Sequence, residues 1–268
     1  MEKSKRTKSI VIVSVLAIVL LVAAILAGGH EKHESVREAM RDAVLHEVGR
    51  INLFGLVEVN PALAAGFVVS ACMLIFALLV RIFVIPRFKV IPGKFQLILE
   101  TWVGTFSDMA KASSPHKNKF LGAYIFAAGS YIAIGTLFEL FGLQAITSKG
   151  EPIALSAPIA DINGALMIGV LSYLVIFSGG ITNNGIKGAL STIKEFSLPV
   201  SMSFRIFGAL LSGLLVTELV YFYIHLSILL PVVVGVLFTL LHAIIQAYVL
   251  TMLTAMFYGE VSESEHEE

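Results

Sequence analysis

Apolar runs of near-membrane length alternate with short polar stretches along most of the chain. They cover about residues 9–27, 62–85, 120–143, 159–178, 196–226 and 231–258. A helix rises ~1.5 Å per residue, so about 20 apolar residues cross a hydrocarbon core ~30 Å thick. The pattern predicts an all-α polytopic membrane protein with five to six transmembrane helices. The last two runs reach about thirty residues each, or ~45 Å as helix. They must tilt strongly, kink, or run past the membrane. Pro199 and Pro231 sit near their starts, where a missing N–H costs little.

The polar stretches divide the chain further. Residues 1–28 read as an N-terminal transmembrane helix or a signal-like segment, because a basic start precedes an apolar run that ends in small residues. The run is long for a signal, which favours a retained helix. Residues 29–61 read as an extracytoplasmic amphipathic segment, with Val36, Met40, Ala43, Val44 and Glu47 near helical spacing. Residues 62–258 form the helical membrane domain. Within it, 96–109 has apolar residues on a helical period and is expected to lie on or dip into the interface. The stretch 178–195 (SGGITNNGIKGALSTIKE) reads as a polar, glycine-rich loop. Residues 259–268 form an acidic tail expected to lack structure.

Charge sets the orientation. Basic residues crowd one side: Lys3, Lys5, Arg6 and Lys8, then Arg81, Arg87, Lys89, Lys94, Lys111, Lys117 and Lys119, then Lys187 and Lys194. The other side carries Lys32, Arg37, Arg41, Arg50 and Lys149. The positive-inside rule places the first set, both termini and the tail in the cytoplasm. Composition agrees with a membrane protein: 57% of residues are hydrophobic and 14% charged, against about a quarter charged in soluble domains. Zero net charge gives no bulk attraction to nucleic acid. Cys72 is the only cysteine and can form no internal disulfide. His30, His33 and His46 are loosely spaced and read as solvated surface residues rather than metal ligands. No phosphate-binding loop, nucleophile triad, metal cluster or cofactor motif appears, so the chain is not expected to hydrolyse ATP itself.

One charge does not fit an apolar run. Arg205 lies within 197–225 (SLPVSMSFRIFGALLSGLLVTELVYFYIH). A guanidinium does not lose its charge by giving up a proton in proteins, and costs at least ~2.5–3.5 kcal/mol at a bilayer centre. On a helix, Ser201, Gly208, Ala209 and Ser212 share its face. All are small, which lets another helix come close. Glu218 lies thirteen positions on, roughly 220° around the helix, and so does not share that face. The face therefore points to a partner in another chain, the alternative being a fixed internal salt bridge with Glu218 or Glu139. Thr239, His242 and Gln246 form a polar line on the last helix. Two readings fit it: helix–helix hydrogen bonds, or a wet path. Asp161 and Asn163 open the fourth span, where an acid suits a helix N-terminus. Glu139 stands near the outer end of the third.

At this point the chain resembles a known family. PVSMSFRIFGALLSG (199–213) is similar to the signature of subunit a of the F-type ATP synthase, and HAIIQAYVLTMLTAMF (242–257) resembles that subunit's last helix. IPGKFQ (91–96) and ADIN (160–163) are weaker echoes in the right order. The resemblance covers about residues 50–260. It implies a static bacterial membrane subunit with two long tilted helices against a rotating c-ring. Two half-channels would carry ions, protons rather than Na⁺, to and from the ring carboxylates. It implies peripheral-stalk b subunits as further partners and the cell membrane as the location.

It also implies roles for residues. Arg205 matches the family's arginine, which attracts the ring carboxylate and blocks direct leakage. Gln246 matches its glutamine and is expected to face Arg205 across the two helices. The chain departs from the common pattern at three positions. Ala209 stands where many members have Asn. The acid usual at Leu214 is replaced by Glu218, and the histidine usual at Thr239 by His242, each on the same helix face. Glu218 and His242 are expected to take over the outer half-channel, with Glu139 at its mouth and Asp161 and Ser201 along the ion path. Sodium coupling, a stand-alone secondary transporter and a purely structural scaffold are the alternatives. The transporter would show paired broken helices, and the scaffold leaves Arg205 unexplained.

Overall fold

A computed structural model describes residues 51–53, 57–115, 118–141, 144–146, 152–222 and 230–263, with Val15, Val19 and Val22 as isolated helical positions. The expected first span, the amphipathic helix around Val36–Glu47 and the end of the acidic tail lie outside the described residues. Two units make up the chain. One is Gly49–Leu210 with Leu240–Glu268, and the other is Met1–Val48 with Leu211–Thr239.

Among the residues described from Ile51 on, two short strands come first, followed by six long helices and a second ribbon. Strands β1 (Ile51–Leu53) and β2 (Val57–Val59) form an antiparallel ribbon, pairing Ile51 with Val59. Helix α1 (Pro61–Leu79) continues through a wide turn, Val80–Val84, and a tight one, Ile85–Arg87. The widening precedes Pro86, whose ring would clash with a carbonyl one turn back in a regular helix. Then come α2 (Lys94–Ser113), α3 (Asn118–Phe138), a second ribbon of β3 (Gln144–Ile146) with β4 (Pro152–Ala154), α4 (Ile162–Lys194), α5 (Ser197–Phe222) and α6 (Leu230–Ser262). Among the described residues, five stretches are long and apolar enough to cross a membrane: Pro61–Arg87, Lys119–Phe141, Ile162–Lys194, Ser197–Thr217 and Val233–Ser262. The protein is an all-α polytopic membrane protein, as the hydrophobic pattern predicts.

The expected loop at 178–195 is helical instead. Gly185 has φ 56° and ψ −133°, a conformation that disfavours side chains, and α4 breaks there. The chain folds back on itself: the Tyr173 hydroxyl donates to the Thr192 carbonyl at 3.0 Å. A methyl group at Gly188 would strike the Gly180 carbonyl, and one at Gly180 would lie 2.9 Å from the Gly188 carbonyl. Glycines that mark a loop by composition here let two helical arms close on each other. At the end of the segment 29–61, β1 and β2 form a ribbon. Helix α6 runs to Ser262, so the first residues of the expected tail are helical.

The core of the larger unit is built from α2 to α6. Helices α2 and α3 run antiparallel. The Trp102 indole donates to Ser130 Oγ at 2.9 Å, and Phe106 packs edge-on against Trp102 and Phe126. The α2 helix, expected on the interface, lies along α3 over this length. Leu121, Ile125, Ile132, Ile176, Met202, Ile206, Ala247, Leu250 and Tyr258 bury themselves in one cluster. Helix α3 joins α4 through the hydroxyls of Tyr124 and Ser172, 2.8 Å apart. A smaller cluster (Ile51, Ala65, Val69, Phe138, Leu155) packs the first ribbon against α1 and the end of α3.

The Arg205 helix face and the last helix

Helix α5 has a sharp division. Met202, Ser203, Ile206 and Leu210 are buried, Met202 and Ile206 at 2% and 1% exposure. Ser203 faces α4, where Gly169 has no room for a side chain: a methyl there would strike Ser203 Oγ and crowd the Pro199 carbonyl. The Ser203 hydroxyl is satisfied within its own helix, donating to the Pro199 carbonyl at 2.6 Å. On the other side Ser201, Arg205, Gly208 and Ser212 are exposed, and Ala209 is half-buried. A methyl at Gly208 would meet nothing within 4 Å. No hydrogen bond or ion pair joins Arg205 to a described residue. Within the larger unit, Ser201, Arg205 and Gly208 thus share an exposed side of the helix.

Helix α6 is divided in the same way. Leu240, Leu241, Ile244, Ile245, Tyr248, Met252 and Met256 are exposed. Ala243, Gln246, Ala247, Leu250, Thr251, Thr254, Ala255 and Tyr258 are buried. The buried threonines are satisfied: Thr251 donates to the Ala247 carbonyl at 2.7 Å and Thr254 to the Leu250 carbonyl at 2.8 Å. Such back-bonding is the usual resolution for a hydroxyl inside a helix bundle. Gln246 is different. It is 7% exposed, and its Oε1 has no hydrogen-bond partner among the described residues. Leaving a buried acceptor unpaired costs about 1–3 kcal/mol. Ala247 beside it and Ile206 beside Arg205 share one core cluster. Arg205 is exposed, Gln246 is buried, and no hydrogen bond joins them. His242, one turn before Gln246, is half-buried, and Thr239 is buried.

The two acids near the other end have distinct settings. Asp161 caps α4: Oδ1 accepts from the Asn163 N–H at 2.8 Å. Oδ2 accepts from Asn60 Nδ2, also at 2.8 Å. Asn60 in turn caps α1, its Oδ1 accepting from the Ala62 N–H at 3.0 Å. One amide and one carboxylate thus cap two helices and tie their starts together. Glu139 opens the short turn Glu139–Phe141 that ends α3 and is half-buried. Glu218 lies on α5, within the Leu211–Thr239 stretch of the smaller unit; its side chain lies outside the described residues.

One polar residue stands out that the hydrophobic pattern does not single out. Asn184 Nδ2 donates to the carbonyls of Val261 at 3.0 Å and Glu263 at 2.8 Å. The Asn184–Gly185 dipeptide is a turn signal in the sequence, but the partner almost eighty residues away is not readable there.

Five helical stretches of membrane length among the described residues define a polytopic helical membrane protein. The chain belongs to the ATP synthase A chain family, whose model matches residues 66–259. It is accordingly a component of the ATP synthase membrane sector with a role in ion passage, and not a catalytic subunit.

Proposed function

We propose that the chain is the static ion-conducting subunit of an F-type ATP synthase, passing protons through two half-channels to and from the carboxylates of a c-ring. The observation that supports this reading is the Arg205 side of α5, where an exposed cation lies beside exposed Ser201 and Gly208, and a methyl at Gly208 would meet nothing within 4 Å. A fixed positive charge favours the ionised form of a nearby carboxylate and lowers its pKa locally. A ring carboxyl reaching Arg205 gives its proton to water in one half-channel, and a carboxylate leaving it takes a proton from the other. A lysine would serve poorly, since a buried ammonium can lose its proton.

Gln246 and His242 lie along the polar side of α6, and we assign them to the ion path. Glu218 and His242 are assigned to the outer half-channel, Glu139 to its mouth, and Asp161 to the helix ends around it. Replacing Glu218 and His242 together by leucine lowers ATP-driven pumping; unchanged pumping removes them from the path. The partners are the c-ring, peripheral-stalk b subunits and the lipid bilayer. The location is the bacterial plasma membrane, with the C-terminus cytoplasmic.

Arg205→Ala in the assembled complex tests the reading. ATP-driven proton pumping disappears while the complex still assembles. Unchanged coupling in that variant overturns the reading.

A further inference from the structure

The last described turn of α6 is held from two sides. Its terminal carbonyls have no partners within the helix, and Asn184 supplies two donors from one amide, to Val261 and Glu263. From the other side comes the end of α2. Ser114 Oγ lies 3.4 Å from Ser262 Oγ. Gly259 lies so close to Ser113 that a methyl group there would strike the Ser113 carbonyl. Tyr258 also lies against Gly179 of α4, where an added methyl would come 2.6 Å from its ring.

We propose that Asn184 is a positioning residue for ion translocation: by clamping the end of α6 at the α4 turn, it fixes the rotation and height of α6 and so the placement of Gln246. This rests on the role given above to the polar side of α6. The physical link is the helix itself. Gln246 is fifteen residues before Val261, roughly 22 Å along an unbroken helix at 1.5 Å per residue. A rotation about the helix axis at one end is therefore carried to the other. Asn184 is also suited to the turn it precedes, because Gly185 can take the positive φ that reverses the chain. The turn brings the amide to the α6 carbonyls, and the amide keeps α6 in register with the turn.

The experiment separates the clamp from the turn. In the purified complex, with Cys72→Ser throughout, Asn184→Asp keeps the size and turn preference but has no N–H donors, and Asn184→Ala removes the group. In both, amide exchange of residues 255–262 quickens about tenfold, as expected for losing two hydrogen bonds. ATP-driven pumping falls several-fold, while ATP hydrolysis by the catalytic sector is unchanged. Adding Ser114→Cys with Ser262→Cys and oxidising restores slow exchange and pumping, and reductant removes both again. Unchanged exchange, unchanged pumping despite faster exchange, or a disulfide that slows exchange without restoring pumping each overturns the proposal. If Asn184→Ala fails to assemble, Asn184→Asp carries the same outcomes. Exchange does not depend on coupling, so normal pumping in Arg205→Ala refutes the proposed function while leaving the clamp measurement intact.

Discussion

Helices α4 and α5 both present small residues, and the two sets have opposite surroundings. On α4, Gly169 meets Ser203 and Pro199, Gly179 meets Tyr258, and Gly180 and Gly188 meet each other. On α5, Gly208 meets nothing within 4 Å, and Ser201 and Arg205 beside it are exposed. Small residues allow close approach in either case. On α4 the approaching groups belong to this chain, so the glycines build the fold. On α5 the exposed residues include a cation, and on the reading proposed above the small residues beside it serve an encounter with another chain.

The largest contrast comes from adding the same bulk to each face. Gly169→Leu drives a side chain into Ser203 and the Pro199 carbonyl; the chain should disappear from membranes or unfold readily, because overpacking of this kind costs about 1–3 kcal/mol or more. Gly208→Leu should leave the amount and thermal stability of the chain unchanged while abolishing coupled pumping. Equal loss of protein in both variants breaks the comparison.

A smaller effect is expected inside α6. Gln246→Leu removes an unpaired buried acceptor whose desolvation costs about 1–3 kcal/mol. The chain should be as thermally stable as before or more so, yet pump less. A clear fall in stability would show that the glutamine is a structural hydrogen-bonding group. The smallest effect on transport is expected at Asp161. Asp161→Ala loses the α4 cap and the bond from Asn60, about 1–2 kcal/mol of stability. Coupling per assembled complex should fall only slightly. A loss of pumping without a loss of stability would make Asp161 part of the ion path rather than a joint between helices.

Most of the spans were legible in the sequence because hydrocarbon thickness fixes their length. Helical spacing brings Ser201, Gly208, Ala209 and Ser212 to the side of Arg205; Ser201, Gly208 and Ser212 are exposed there and Ala209 is half-buried. The α4 hairpin was not legible. Gly179, Gly180, Asn183, Asn184 and Gly188 have the composition of a loop, and only the tertiary fit shows that the glycines seat neighbouring chain. The Asn184 clamp was hidden for a related reason: its acceptors are backbone carbonyls, which carry no mark in a sequence. The relation of Gln246 to Arg205 was also beyond reach, since a helical wheel orders residues around one axis and says nothing about how two helices are turned towards each other.

The central claim is that a ring helix covers the Arg205 face, and cross-linking measures that contact. A cysteine at Gly208, in a Cys72→Ser chain, is oxidised against a cysteine placed one turn from the ring carboxylate. The account predicts a disulfide-linked adduct of this chain with one ring protomer, formed in the assembled complex and abolished by reductant. No adduct from Gly208→Cys, together with ready adducts from a cysteine at exposed Met167 on α4, would contradict it.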